Sequence, residues 1–205
     1  TEFAEPLSES QVFSLHSNPG ASNVVYLDFD GHVIEGTAWS GNTLVALPFD
    51  PSQNDSPPTT ANFTADELGR IHEIWHRMSE DFAAFNIDVT TEEPAVLTST
   101  TGRVLFTHDV DANGLSMPSQ GAGGVAYLGV FGWSNYVSRY SPALVYYTNL
   151  SSSTNGVPSY NAEAGSHEFG HNLGLSHDGV SGGSKYYVGH GSGLVSWAPI
   201  MGNSY

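Results

Sequence analysis

The segment His167–Asp178 (HEFGHNLGLSHD) concentrates the residues that could do chemistry. Positions i and i+4 share one face of an α-helix, so His167 and His171 can offer two imidazoles to one ion. Glu168 follows the first of them and can reach a water on that ion. Gly174 can adopt a positive φ at no steric cost, so it can end the helix and turn the chain. That turn brings His177 back as a third ligand. Three histidines leave one tetrahedral position open, as catalytic zinc requires. Zinc lowers the pKa of its water, and Glu168 is the expected general base.

A second HExxH occurs at 72–76, which shows how easily the short pattern arises. It lacks the extension: Ser79 stands in place of the glycine and Phe82 in place of the third histidine. Leu68, Ile71, Trp75, Met78 and Phe82 form an apolar helical stripe there, and His72 and His76 flank it. They read as boundary histidines of a core-facing helix.

The extended motif resembles the metzincin signature of zinc metallopeptidases. Asp178 and the Asn172-Leu173-Gly174 core make it most similar to the reprolysin (adamalysin-like) branch. The resemblance implies a methionine turn downstream, and Trp197–Gly202 (WAPIMG) fits it, with Met201 packing beneath the metal rather than ligating it. It implies that Asp178 fixes the lower subdomain by hydrogen bonding. In some metzincins a tyrosine two residues after the methionine also reaches the metal; Asn203 stands there, so that ligand is not carried over, and packing is expected of Tyr205. The implied fold is α+β and zincin-like, a twisted, mixed, mostly parallel sheet with a backing helix and an active-site helix. One catalytic domain would span 1–205, its upper subdomain about 1–174 and its short lower subdomain about 175–205. The implied substrates are proteins or peptides, and the implied location is outside the cell, the chain from Thr1 being a mature form without its leader. Animal reprolysins are rich in disulfides. This chain has no cysteine, which points to a bacterial-type relative.

Twenty-one acidic residues face only five basic ones, for a formal net charge of −16. Phosphate recognition needs Lys and Arg, so nucleic acid is excluded as a partner. No apolar run reaches the length of a membrane span. A monomer with one substantial core is expected from 205 residues. Excess carboxylate also suits calcium, a hard cation that takes oxygen ligands. Asp109-Val110-Asp111-Ala112-Asn113-Gly114 matches half of a calcium loop, but Gln120 stands where an EF-hand glutamate should be. A turn held by Asx hydrogen bonds is the plainer account. Asp28 and Asp30 beside Gly31, and Asp50 with Asp55, are similar but lesser calcium candidates.

These residues must be positioned by elements. Asn23–Asp30 alternates as a strand, and an apolar run at 44–47 interrupts a loop-rich stretch over 31–63. Thr64 and Glu67 form a capping box that opens a helix to about Phe85. Strands follow at 86–91, 103–107, 123–130 and 143–148. Asn161 then caps the helix that carries the motif. By the resemblance, the strand near Gly124–Leu128 is the antiparallel edge above the cleft. Its unpaired backbone at Gly124, Val125, Ala126 and Tyr127 could pair with an extended substrate. The leading expectation is a zinc endopeptidase. A non-catalytic zinc-stabilised adhesion module is the rival from another class, and a hydrolase of non-peptide amides is a third reading.

Overall fold

The computed structural model describes residues 7–55, 58–59, 61–151, 153–191 and 197–202. In chain order the elements are helix α1 (Glu9–Val12), strands β1 (Asn23–Asp28), β2 (His32–Ile34) and β3 (Leu44–Ala46), helix α2 (Ala65–Asp81), strands β4 (Ile87–Thr90), β5 (Thr101–Thr107) and β6 (Gly124–Val125), a π-helical turn at Tyr136–Tyr140, strand β7 (Ala143–Tyr146) and helix α3 (Pro158–Asn172). The main sheet runs β4-β1-β5-β7-β6. Its first four strands are parallel, and β6 pairs antiparallel with β7 at the edge.

Every residue of β5 and β7 is buried, as a parallel sheet covered on both faces demands. Side chains alternate across such a sheet. Val104, Phe106, Ala143 and Val145 face the helical layer of Ile71, Ile74 and Met78 from α2 and Ala164 and Phe169 from α3. Leu105, Leu144 and Tyr146 face the opposite way, against Ile34, Leu44 and Ala46 of the β2–β3 hairpin. The helices are pressed close by glycine. A Cβ on Gly102 would lie 2.3 Å from the Phe169 ring, and one on Gly165 would lie 2.8 Å from Met78 Sδ.

Several expected boundaries move. Helix α2 stops at Asp81 and not Phe85, and its buried stripe includes Ile74, which sits inside the second HExxH. His76 is exposed, and half-buried His72 stacks on Trp75. Asn161 does not cap α3. The helix begins at Pro158 after Val157, and Asn161 is buried inside the first turn with its amide donating to the Val157 carbonyl. Proline suits that first position because its missing N–H would have no helical partner. The segment 123–130 keeps only two strand residues, because the chain beyond turns toward α3. There Gly129 N–H and Phe131 N–H donate to the carbonyls of His171 and Asn172.

The loop at 109–113 forms the Asx turn expected as its plainer account. Asp111 accepts from the backbone N–H groups of Val45, Asn113 and Leu115 and from the Asn113 amide. Those four bonds use the acceptor capacity of a carboxylate, and they staple the loop to β3. Asp109 accepts from the Asn149 amide. Asn203 and Tyr205 lie outside the described residues.

Candidate metal centre

Helix α3 carries His167 and His171 on one face, and Gly174, at φ +99°, reverses the chain after it. The Gly174 and Leu175 N–H groups close the helix on the carbonyls of His171 and Gly170. His177 then returns to the pair. One ring nitrogen from each of His167, His171 and His177 lies within 4.8 Å of the others, and among the described residues no other group of three His or carboxylate side chains does this.

Hydrogen bonds set which nitrogens point inward. His167 Nδ1 donates to the Ile200 carbonyl at 2.8 Å, and His171 Nδ1 donates to the Leu175 carbonyl at 2.7 Å. A carbonyl can only accept, so each Nδ1 carries the hydrogen and each neutral ring presents a bare Nε2. Such backbone partners are what orient metal-bound histidines. His171 Nε2 and His177 Nε2 face each other at 2.9 Å. Two ring nitrogens approach that closely with a proton on one of them or a cation between them. Burial first, and then the neighbouring histidines, push the His167 pKa down to about 4. The His177 pKa is lowered by burial, His171 and Lys185. Both rings are therefore neutral at pH 7, the form that ligates.

Glu168 is 5% exposed and its Oε2 has no hydrogen-bond partner. Burial alone pushes its pKa up to about 8. A buried carboxylate without a partner is costly, and a cation beside it removes that cost. The donor set, the inward nitrogens and this orphaned oxygen together fit a zinc ion held by the three histidines.

A cleft of about 470 Å³ opens over the histidines. Gly124, Val125 and Ala126 form one wall. Tyr127 does not line it: its hydroxyl donates to the Ala38 carbonyl, and its ring packs on Trp39 and Tyr140. Gly124 is pressed on Glu168, since a Cβ there would lie 2.7 Å from Oε1. Met201 is buried beneath the helix with its sulfur against Gly170. Asp178 ties the segment after the helix through its main chain, its N–H donating to the Met201 carbonyl and its carbonyl accepting from Tyr187 N–H. Asn172 receives a bond from the Tyr136 hydroxyl and gives one to the Tyr127 carbonyl, so it locks the chain beyond β6 onto α3.

Two residues on the cleft carry no motif signal. The Tyr186 ring packs against His177 at a tilt of 39°, with ring centroids 4.3 Å apart. Ser119 holds a left-handed backbone at φ +54°, which is uncommon outside glycine.

A family model described as metallo-peptidase family M12B, reprolysin-like, matches residues 52–178, a span that contains all three histidines and Glu168. No curated protein and no solved structure matches the chain. The match covers more than half of the sequence, and the chain belongs to the reprolysin-like M12B metallopeptidases: it is a zinc metalloendopeptidase of metzincin type.

Proposed function

We propose that the protein is a secreted, monomeric endopeptidase, a single catalytic domain in which His167, His171 and His177 hold the zinc and Glu168 is the general base. One observation carries this: the orphaned Glu168 carboxylate stands on the same cleft as three inward-facing Nε2 atoms. Bound there, zinc supplies a Lewis acid for a carbonyl oxygen and lowers the pKa of water. Glu168 takes one proton from the attacking water as the oxygen bonds to the scissile carbonyl carbon. The C–N bond then breaks, and Glu168 returns the proton to the leaving amine. Strand β6 ends the sheet, so one side of its backbone has no neighbouring strand among the described residues. An extended substrate paired there is held through main-chain hydrogen bonds, with little regard to side chains. Peptide substrates follow from the family, and no helix among the described residues is long and apolar enough to cross a membrane.

The rival is a zinc-stabilised binding module on the same fold. A structural site has no use for an unpaired acid and fills its fourth position with protein. The test is Glu168→Gln. It should lower kcat on casein or a peptide library by at least about 10²-fold while zinc content and melting temperature hold. A parent protein with no chelator-sensitive cleavage at all would favour the binding module. Cleavage confined to non-peptide amides would favour the third reading.

A further inference from the structure

We propose that Tyr186 is the positioning residue of the third zinc ligand, holding the His177 imidazole by ring contact where the other two histidines are held by hydrogen bonds. The inference rests on the three-histidine site proposed above. His167 and His171 stand on α3, and each ring is fixed from behind by an Nδ1 bond to a backbone carbonyl. His177 has neither support. It is exposed, and it follows Gly174 in a segment without helix or strand. Among the described residues its ring has one hydrogen-bonding contact, Nε2 with His171 Nε2, which is on the metal side. An imidazole free to turn about its side-chain torsions must be ordered when an ion binds, and that lost entropy weakens binding.

Tyr186 supplies the missing restraint. Its ring centroid is 4.3 Å from that of His177 but 6.3 Å from that of His167, so it stands beside the triad, against the one ring that lacks a backbone anchor. The Tyr186 hydroxyl makes no hydrogen bond among the described residues, so it is the ring that acts on His177. The loop that delivers it is folded for a short return. Val180 N–H donates to the Ser184 carbonyl, and Gly183 N–H donates to the Val180 carbonyl. Tyr187 N–H then donates to the Asp178 carbonyl, which clamps the two ends of the loop together and brings Tyr186 back beside His177. A Cβ on Gly179 would lie 2.7 Å from the Ser184 carbonyl oxygen, so this closure requires glycine there. Tyr186 is half-buried and belongs to neither core cluster, so the fold does not depend on it.

The test titrates the zinc-loaded full chain with a chromogenic chelator of known affinity and reads the zinc that each variant retains. Tyr186→Ala should weaken zinc binding by about 10-fold or more, the loss that follows removal of a residue orienting a metal-bound histidine. Tyr186→Phe should retain zinc as the parent does, because it keeps the ring. Circular dichroism at saturating zinc should be the same for all three. Should Tyr186→Ala not fold, Tyr186→Gln, which also lacks a ring, takes its place with the same expected loss. Parental zinc affinity in the ringless variant overturns the proposal. So does a Tyr186→Phe variant that loses zinc as Tyr186→Ala does, since the hydroxyl would then be the part that matters. His177→Ala is the control for the site itself, and it should lose more affinity than Tyr186→Ala. If His177→Ala holds zinc like the parent, it is the three-histidine reading that fails, and the role of Tyr186 falls with it.

Discussion

Gly124 shows how narrow the tolerance around the metal centre is. An added Cβ would meet Glu168 Oε1 and the Leu144 carbonyl, both at 2.7 Å. The carbonyl belongs to a buried strand and cannot yield, so the carboxylate must. Gly124→Ala should therefore lower kcat by tenfold or more, since a general base works only within hydrogen-bond reach of its proton. Zinc content should stay the same, because none of the three histidines is touched. Parental kcat in a folded Gly124→Ala variant would show that Glu168 can shift freely. The histidine triad and Glu168 were legible from sequence because helix geometry fixes the distance from i to i+4 and a glycine explains the return of His177. Tyr186 and Ser119 were not, since no spacing rule ties either to the motif. The acidic loop at 109–113 left two readings open for a related reason. Whether a carboxylate is spent on N–H groups, as Asp111 is, or left bare, as Asp28 Oδ1 is, depends on partners far away in the chain.

At the scale of elements, legibility followed the locality of the signal. The capping box of α2 is made as its residues suggest: Thr64 Oγ1 accepts from Glu67 N–H, and Glu67 accepts from Thr64 N–H. Glu67 is also bonded by Ser52, so the box anchors the loop before the helix. Thr64→Ala should lower stability by about 1 kcal/mol, a drop of about 2–4 °C for a chain of this size, with kcat unchanged because α2 carries no residue of the cleft. A fall in kcat instead would mean that α2 positions α3 more delicately than its packing suggests. The start of α3, the β2–β3 hairpin and the brevity of β6 were hidden, since each depends on contacts distant in sequence. The N-terminal segment is fastened in the same nonlocal way. His16 bridges Asp88 and Glu92 at 2.6 and 2.8 Å, pinning that segment to β4. Burial alone would lower the His16 pKa, but bonds to Glu92 and Asp88 outweigh it and raise it. A raised folded pKa means the stabilisation is full below the unfolded value of about 6.5 and is lost as pH rises through the folded value. His16→Gln should thus cost more melting temperature at pH 6 than at pH 9. An equal cost at both would mean that the protonated ring contributes nothing beyond its neutral hydrogen bonds.

For the whole molecule the governing quantity is the net charge of −16, which no local pairing cancels. Such an excess sets up a field that extends beyond the surface, and the field acts on encounter more than on chemistry. The metal centre adds positive charge locally, but the approach to it passes over an acidic body. Cationic peptides should be drawn in and anionic ones repelled, whatever side chain flanks the scissile bond. The field reaches about 30 Å at 0.01 M salt and about 3 Å at 1 M. Two peptides with one cleavable core, one flanked by lysines and the other by glutamates, isolate this effect. At low salt kcat/KM should favour the lysine peptide by about tenfold or more, and the gap should close as sodium chloride approaches 1 M. The kcat values should differ little, because the flanking charges do not touch the reacting atoms. A preference for the lysine peptide that persists at high salt would place the selectivity in direct contacts within the cleft instead. No preference at low salt would mean that the acidic surface is turned away from the path of the substrate.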